Sequence, residues 1–235
     1  MSSDSRAEAA PRRRPGRPRK DQPDPERFAE ILAGAAEVFL ARGYDASTIQ
    51  QVADTVGMLK GSLYHYVRTK EDLLYVILQR TYAAALSEMR RVLEERAGAD
   101  ALELLAAFVE THIRFTIANF AAVSIQFREL RTLSEARRAE ITAEGDKYTA
   151  LLRDLLQRGV EEGTIGADID LPLASWSILG QLNAMTQWYR NPGRLSIDEL
   201  VAAFVGMIVS SVVSDRRSAE AGGPASLRAS FTPGR

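Results

Sequence analysis

The sequence predicts an all-α protein with about nine helices. Apolar residues recur at spacings of three, four and seven positions along most of the 235 residues, which is the pattern of one buried helix face. Beyond Gly98, no stretch alternates apolar and polar residues as a half-buried strand does. Glycine and proline residues separate the periodic stretches. These observations favour helices that pack on one another rather than on a sheet.

Composition excludes several classes of protein. Hydrophobic residues make up 46% of the chain, enough for a folded core, yet no apolar run approaches the ~18 residues of a membrane span. The basic, proline-broken N-terminus lacks the apolar stretch of a signal peptide. The chain has no cysteine, so neither a disulfide nor a thiolate metal site is expected. We therefore expect a cytoplasmic protein with no metal, no cofactor and no membrane partner.

The first 24 residues are predicted to be a disordered basic arm. They are rich in proline, arginine and serine and show no apolar periodicity. Residues 11–20 hold six basic residues and no acidic one. Such a block favours an anionic polymer as partner, although a solvated tail has the same composition.

Residues 25–70 are predicted to form a domain of three short helices. The first helix ends at Gly43, and Gly57 separates the second helix from the third. Ser47 or Thr48 is expected to cap the second helix, because a side-chain hydroxyl can accept a hydrogen bond from the free backbone N–H groups there. Helical corners of this kind are common, so the spacing alone does not indicate a function.

A larger helical domain is predicted over residues 71–214. The helix that leads into it is long, from Lys70 to about Arg96, and Thr69 with Asp72 forms its capping pair. Residues 215–235 lose periodicity and are expected to be a disordered tail. The further helices are predicted at about 100–118, 120–133, 135–162, 171–190 and 197–214.

The stretch from Ser47 to Leu74 carries the most specific pattern of the chain, STIQQVADTVGMLKGSLYHYVRTKEDLL. It combines a hydroxyl pair, branched apolar residues around an alanine, a glycine turn and Lys-Gly-Ser-Leu-Tyr-His-Tyr. This pattern resembles the signature of the TetR family of transcriptional regulators, with the helix-turn-helix motif at 47–66. The resemblance implies a homodimer that binds double-stranded operator DNA and a C-terminal domain that binds a small effector and dimerises.

The second helix of a helix-turn-helix enters the major groove with its first residues near the base edges. Lys60 can donate to guanine or to a phosphate, Ser62 can contact several bases, and Gly61 allows a close backbone approach. The resemblance implies phosphate contacts from Tyr64 and from either His65 or Tyr66. It implies further phosphate contacts from Thr48 and Lys70 at the starts of the second and fourth helices. For His65, an ordinary surface position is the alternative. The predicted DNA-binding residues of this domain are Ser47, Thr48, Lys60, Gly61, Ser62, Tyr64, His65, Tyr66 and Lys70.

Leu59 departs from the family pattern, because many members have Ser or Thr at this position. A leucine cannot cap the recognition helix, and the loss of a cap normally costs about 1 kcal/mol. Either Leu59 packs against the protein, or a DNA phosphate satisfies this helix end.

The basic arm contains Gly16-Arg17-Pro18, which resembles the core of an AT-hook. Extended arms that carry arginine suit the narrow minor groove of A·T-rich DNA. We therefore predict that Arg14, Arg17 and Arg19 also contact DNA.

The last predicted helix carries the longest apolar seam of the chain. Part of such a seam must pack on the preceding helix, but the resemblance implies that the last two helices, at 171–190 and 197–213, pair with those of a second copy. A palindromic operator also requires a two-fold symmetric protein. The predicted dimer-interface residues are Ile197, Leu200, Val201, Phe204, Val205, Ile208 and Val212.

Candidates for a ligand pocket lie on the middle and later helices. They mix many apolar with few polar side chains, as small-molecule sites do. The core of any helical domain has the same mix, so an ordinary core position is the alternative for each of them. The predicted ligand-binding residues are His112, Phe115, Asn119, Phe127, Arg128, Trp176, Gln181, Asn183, Met185, Trp188 and Arg190.

A narrower resemblance links the second half of the chain to the KstR/FadR-like branch of the family. It rests on the stretches 127–130 (FREL), 155–163 (LLQRGVEEG) and 188–190 (WYR), the last followed by a Pro-Gly pair. The resemblance implies control of sterol, fatty-acid or aromatic-acid catabolism in response to acyl-CoA thioesters.

An acyl-CoA effector needs an apolar slot and cations for its phosphates. Trp176 and Trp188 are candidates for the slot, and Arg128, Arg131 or Arg190 for the phosphates. The alternative is a drug or another hydrophobic effector, for which an acidic pocket residue and no basic mouth are expected.

Two other classes of protein fit the sequence less well. The chain contains no His-Glu-x-x-His, no glycine-rich phosphate loop and no Gly-x-Ser-x-Gly, so an enzyme is not expected. The other class is an architectural protein that binds DNA without an effector. This class does not explain why the chain has a long helical domain after its DNA-binding domain.

Overall fold

The computed structural model of the chain describes residues 24–190, 193–223 and 226. Within these residues the protein is helical, and the all-α prediction is confirmed. None of the helices there is both long and apolar enough to cross a bilayer. The helices are α1 (Pro25–Arg42), α2 (Ile49–Thr55), α3 (Lys60–Leu63), α4 (Lys70–Glu95), α5 (Ala101–Ala118), α6 (Phe120–Glu129), α7 (Glu135–Glu162), α8 (Leu171–Asn183), α9 (Met185–Trp188), α10 (Ile197–Val212) and α11 (Asp215–Glu220).

Side-chain caps set the beginnings of most of these helices. Thr48, Thr69, Asp100 and Ser196 each accept a hydrogen bond from the backbone N–H three residues later and form a full capping box. The caps predicted at Thr48 and Thr69 are therefore confirmed. Each cap satisfies backbone donors that the helix itself leaves free.

The segment predicted as one helix over 171–190 is divided into α8 and α9 at Ala184. The Thr186 hydroxyl donates to the Asn183 carbonyl at 2.9 Å. A side chain that takes over a carbonyl in this way competes with the regular helical hydrogen bonds.

Order continues past the predicted end of the helical domain, so the prediction of a disordered tail is wrong for residues 215–220. Ser214 caps α11, and Arg217 pairs with Asp100 at 3.1 Å. This short helix is held by a cap and an ion pair rather than by an apolar face, which is why apolar periodicity did not indicate it.

Two apolar cores share the helix α4. Leu73, Leu74 and Ile77 pack with α1, α2 and α3 in the N-terminal core, whereas Leu86 and Met89 pack with α5, α7, α8 and α10 in the C-terminal core. Helix α6 and the first part of α7 also join the N-terminal core. The helices α4, α6 and α7 therefore connect the two halves of the molecule.

Candidate functional site

The helix-turn-helix surface consists of the polar residues that α2, α3 and the following turn present outward. Gly57 forms the turn between the helices with φ of +64°, a conformation that glycine adopts without a steric penalty. The predicted contacts Lys60, Gly61 and His65 are exposed, and Tyr64 is 46% exposed. The members of this surface are Thr48, Lys60, Gly61, Ser62, Tyr64 and His65.

Leu59 stands at the capping position of α3, makes no side-chain cap and is 80% exposed. The first alternative from the sequence, that Leu59 packs against its own chain, is therefore wrong. The start of α3 is left with a large apolar side chain in solvent and with backbone donors that no side chain satisfies.

Ser47 and Lys70 hold the turn between α1 and α2 instead of pointing outward. Ser47 is only 3% exposed, and its hydroxyl donates to the Tyr44 carbonyl at 2.6 Å. The Lys70 amine donates to the carbonyls of Tyr44, Asp45 and Ser47 at 2.7, 3.3 and 3.0 Å and lies 4.2 Å from the centre of the Tyr44 ring. The predicted roles of Ser47 and Lys70 as DNA contacts do not match this geometry, because their polar atoms are already bonded within the chain.

The remaining predicted DNA contacts are Tyr66 and three arginines of the N-terminal arm. Tyr66 is half-buried and stacks on Phe28, with the ring centres 5.8 Å apart. Arg14, Arg17 and Arg19 lie outside the described residues.

A cavity of about 250 Å³ lies between α4, α5, α6, α7 and α8. Four of the predicted ligand residues line it: His112, Phe115, Phe127 and Asn183. Sequence reasoning missed the α4 and α7 walls, whose polar residues do not interrupt any apolar pattern. The missed polar lining residues are Thr81, Tyr82, Thr116, Gln126, Thr142, Asp146, Tyr148 and Thr149.

The other seven predicted ligand residues do not line this cavity. Asn119 ends α5 and donates to the Phe115 carbonyl, and Met185 is fully buried in the C-terminal core. The rest point outward, because helices α8 and α9 turn their small and branched residues inward. These exposed residues are Arg128, Trp176, Gln181, Trp188 and Arg190.

His112 and Tyr148 form the polar centre of the cavity. The His112 Nδ1 atom lies 3.0 Å from the Tyr148 hydroxyl. Burial lowers the pKa of His112 to about 4, and an interaction with Asn183 opposes this shift only in part. Burial also raises the pKa of Tyr148 far above its usual range. Both groups are therefore uncharged at neutral pH.

Asp146 is the one acidic residue among those that line the cavity in the described part of the chain. It lies on the exposed side of α7. Burial raises the pKa of Tyr82 to about 12, and the negative charge of Asp146 adds to this shift. No lysine or arginine belongs to the described lining. The cavity is consequently polar but weakly acidic.

Three links join the cavity to the N-terminal core. Helix α4 carries Tyr82 on the cavity wall and the N-terminal core residues two turns earlier. The Glu129 carboxylate, next to the lining residues of α6, lies 3.4 Å from the Tyr44 backbone N–H. Arg137 at the start of α7 pairs with Asp72 at 2.5 Å and with Glu71 at 3.4 Å.

The Arg137 link acts on the cap of α4. Burial alone would raise the pKa of Asp72, but hydrogen bonds from Arg137 and Thr69 outweigh burial and hold this pKa below its usual value. The Asp72 carboxylate thus serves the capping box of α4 and the ion pair to α7 at the same time.

The predicted dimer seam is part of the chain's own core. Phe204 is 7% exposed, and the other members of the seam are more deeply buried, except Ile197, which is partly exposed. The most apolar face of α10 packs on α5 and α8, so these side chains are covered mainly by their own chain, and their role in a dimer interface stays a prediction. A second apolar face remains exposed on α8, α9 and α10, and its large members are Leu173, Trp176, Trp188 and Met207.

Two family models match this chain. The model described as "Bacterial regulatory proteins, tetR family" matches residues 31–76, which include the helix-turn-helix. The model described as "Tetracyclin repressor-like, C-terminal domain" matches residues 98–212, which include α5 to α10. Together they span more than half of the chain. The chain belongs to the TetR family.

Several TetR proteins are similar to this chain over most of its length. The transcriptional repressor KstR2 of Rhodococcus jostii is 29% identical over 80% of this chain and 92% of its own. The fatty acid metabolism regulator protein of Bacillus subtilis is 25% identical over 79% of this chain and 95% of its own. AibR, solved in complex with isovaleryl coenzyme A and operator DNA, is 28% identical with a TM-score of 0.69, over 77% of this chain and 97% of its own.

These relatives confirm the resemblance to the KstR/FadR-like branch of the TetR family. The helix-turn-helix surface is thus the part of this TetR protein that lies in the region matched by the N-terminal family model, and most of the cavity lies in the region matched by the C-terminal one.

Proposed function

We propose that this TetR-family protein is a homodimeric repressor that leaves a palindromic operator when a small effector enters the cavity. The observation that carries the proposal is the shared use of α4, α6 and α7. These helices line the cavity and also pack in the core that supports the helix-turn-helix surface. An effector that shifts them has a direct mechanical route to the recognition helices.

In the proposed complex, α3 enters the major groove. Lys60 and Ser62 contact base edges, and Thr48, Tyr64 and His65 contact phosphates. Lys70 and Ser47 hold the turn behind this surface. Arg14, Arg17 and Arg19 of the arm reach the adjacent minor groove, where A·T-rich flanks favour them.

The second copy covers the exposed apolar face of α8, α9 and α10. Trp176 is 63% exposed there, and Trp188, which stacks parallel on Phe204, is 50% exposed. Monomeric proteins seldom leave several large apolar side chains together in water. A two-fold contact through this face brings two helix-turn-helix surfaces to one palindrome.

The effector that we propose is an acyl-CoA thioester. The relatives favour it, since AibR was solved with isovaleryl coenzyme A. Two exposed arginines, Arg128 and Arg131, directly follow Phe127 and Leu130 of the cavity wall along the chain. We propose that their guanidinium groups bind the phosphates of the effector outside the cavity. Binding to operator DNA would place the protein in the cytoplasm.

The charge of the lining favours a second candidate, a neutral or cationic hydrophobic effector. Asp146 provides the acidic residue expected for that class, and no basic residue belongs to the described lining.

The test begins with an operator selected from a random-sequence DNA library with the full chain. Release of that operator is then titrated with isovaleryl-CoA, with isovalerate and with a cationic dye such as ethidium. We expect release by the thioester but not by the acid, because the acid lacks the phosphates and brings an unpaired charge. Equal release by the acid, or release by the dye alone, would contradict the acyl-CoA effector. Failure to select any operator would contradict the regulator itself.

A further inference from the structure

The cavity holds one buried polar atom that the fold leaves without a hydrogen bond. His112 Nε2 is buried and has no partner of acceptable geometry, although Asn183 lies near enough to influence the ring. Buried polar atoms in proteins almost always have a partner, so an orphaned atom in a cavity wall needs an explanation. A ligand bound in the cavity can supply that partner.

The neighbouring tyrosine determines what His112 Nε2 can do. Tyr148 is buried, and the His112 Nδ1 atom is the acceptor that its hydroxyl proton can reach. If Tyr148 donates to Nδ1, the neutral imidazole carries its proton on Nε2. The opposite arrangement would leave both the tyrosine proton and Nε2 unsatisfied, which costs more. The cavity therefore presents an N–H donor that requires an oxygen acceptor.

Size limits the group that carries this oxygen. A methylene group takes up about as much space as a water molecule, roughly 30 Å³. The 250 Å³ of the cavity gives room for a short acyl chain. A long fatty-acyl chain or a sterol skeleton would have to extend through the open side of the cavity.

The charges around the cavity further restrict the ligand group that can accept the hydrogen bond from His112. A free carboxylate would be brought next to a neutral imidazole and to Asp146, with no cation in the described lining to compensate its lost hydration. An uncharged carbonyl oxygen accepts the same hydrogen bond without that cost. The apolar lining residues Phe115, Val123, Phe127 and Leu179 then cover the carbon chain.

We infer that the His112 Nε2–H group is the specificity-determining donor for the carbonyl oxygen of a short acyl thioester in this cavity. This inference rests on the proposed function for its effector class and deepens it by fixing the acyl length and the recognised atom. The thiol part of the ligand leaves through the open side of the cavity. Both coenzyme A and a simpler thiol therefore supply the recognised chemistry, and the test separates them.

The experiment measures the affinity of the full chain for matched thioesters and thioethers by calorimetry. The probes are hexanoyl-CoA and S-hexyl-CoA, which differ by the carbonyl oxygen, and the same pair built on N-acetylcysteamine, which has no phosphates. Palmitoyl-CoA tests the length limit. The proteins are wild type, His112→Phe and, as the matched control, His65→Phe, which changes the second histidine of the chain on the distant helix-turn-helix surface.

Wild type and His65→Phe are expected to bind each hexanoyl thioester roughly three- to tenfold more tightly than its thioether, the value of one hydrogen bond. His112→Phe is expected to bind both at the weaker level, and His112→Gln, which restores an N–H donor, to recover part of the difference. Palmitoyl-CoA is expected to bind more weakly than hexanoyl-CoA. A difference between CoA and N-acetylcysteamine probes measures what Arg128 and Arg131 add.

Three results would overturn the inference: equal discrimination by wild type and His112→Phe, tighter binding of palmitoyl-CoA, or no binding of either thioester. Operator binding without effector is measured on wild type and on His112→Phe, since His65→Phe changes a proposed phosphate contact. If it is intact, the regulator assignment stands whatever the cavity assay shows.

Discussion

The helix-turn-helix surface and the cavity are built in opposite ways. The surface comes from one contiguous stretch, its side chains face solvent, and its backbone is held from behind by Ser47 and Lys70. The cavity collects side chains from five helices, and its central groups are buried and uncharged. A local motif can therefore specify the first, whereas the second exists only after the helices have packed.

Different physical forces also govern the helix-turn-helix surface and the cavity. In the proposed complex, exposed charged groups such as Lys60 act through long-range attraction to phosphates and are screened by salt. His112 and Tyr148 act through short hydrogen bonds in a medium of low polarity, where one missing partner is costly. In the proposed function, the dimer face and the shared helices α4, α6 and α7 join the two regions into one regulator.

The largest effect is expected from Trp176→Arg, which should impair operator binding but not ligand binding in the cavity. The charge should prevent a second copy from covering the apolar face, and loss of the two-site contact should weaken operator binding by roughly 100-fold or more. Binding of hexanoyl-CoA should stay within about twofold, since Trp176 does not line the cavity.

Sedimentation velocity and fluorescence anisotropy measure the oligomeric state and the DNA affinity of this variant. Gln157→Arg, at an exposed position of α7, adds the same single charge and is the matched control. A Trp176→Arg protein that remains dimeric would contradict the assignment of this face.

Lys70→Met tests whether the helix-turn-helix surface depends on its support. Three carbonyls lose a charged donor, so the free energy of unfolding should fall by about 2 kcal/mol. Operator affinity should fall while the salt dependence of binding stays the same, because Lys70 is not a phosphate contact in this arrangement. Urea denaturation and anisotropy at several salt concentrations measure both quantities. A salt slope reduced by about one unit with unchanged stability would restore Lys70 as a phosphate contact.

His112 should make the cavity, but not the surface, sensitive to acid. Its folded pKa of about 4 lies below the ordinary value of 6.5, so the unfolded chain binds a proton between these values that the folded chain refuses. Stability should therefore fall as the pH drops through this window, by about 2 kcal/mol at pH 5.

Urea denaturation at pH 7.5 and pH 5 measures this loss, and the difference between wild type and His112→Phe isolates it from other titrating groups. His65→Phe should lose stability with acid as wild type does. An equal acid loss in His112→Phe would show that the buried imidazole is not its source.

The smallest effect concerns Leu59, the apolar residue on an otherwise polar surface. We expect Leu59→Ser to gain a helix cap worth about 1 kcal/mol of stability and to lose contact with a thymine methyl group. Replacing single thymines of the operator with deoxyuridine removes only that methyl. One such replacement should weaken wild-type binding and leave Leu59→Ser unaffected, and equal responses at every thymine would exclude the methyl contact.

The contrast between the regions also explains what the sequence could predict. The all-α fold, the caps at Thr48 and Thr69 and the exposed Lys60 follow from local patterns that need no partner helix. The apolar seam through Phe204 was assigned to the dimer because periodicity shows that a face is buried but not what buries it. The cavity residues Tyr82 and Tyr148 were missed because each is an unremarkable residue on its own helix, and only tertiary packing brings them to His112.

The central claim is that an occupied cavity moves the two helix-turn-helix surfaces relative to each other. The chain has no cysteine, so a His65→Cys variant carries one spin label per copy and gives one distance across the dimer. Double electron–electron resonance with and without hexanoyl-CoA should show a shift of the main distance by roughly 2 Å or more. An unchanged distance distribution in a sample that calorimetry shows to be saturated with thioester would contradict the account.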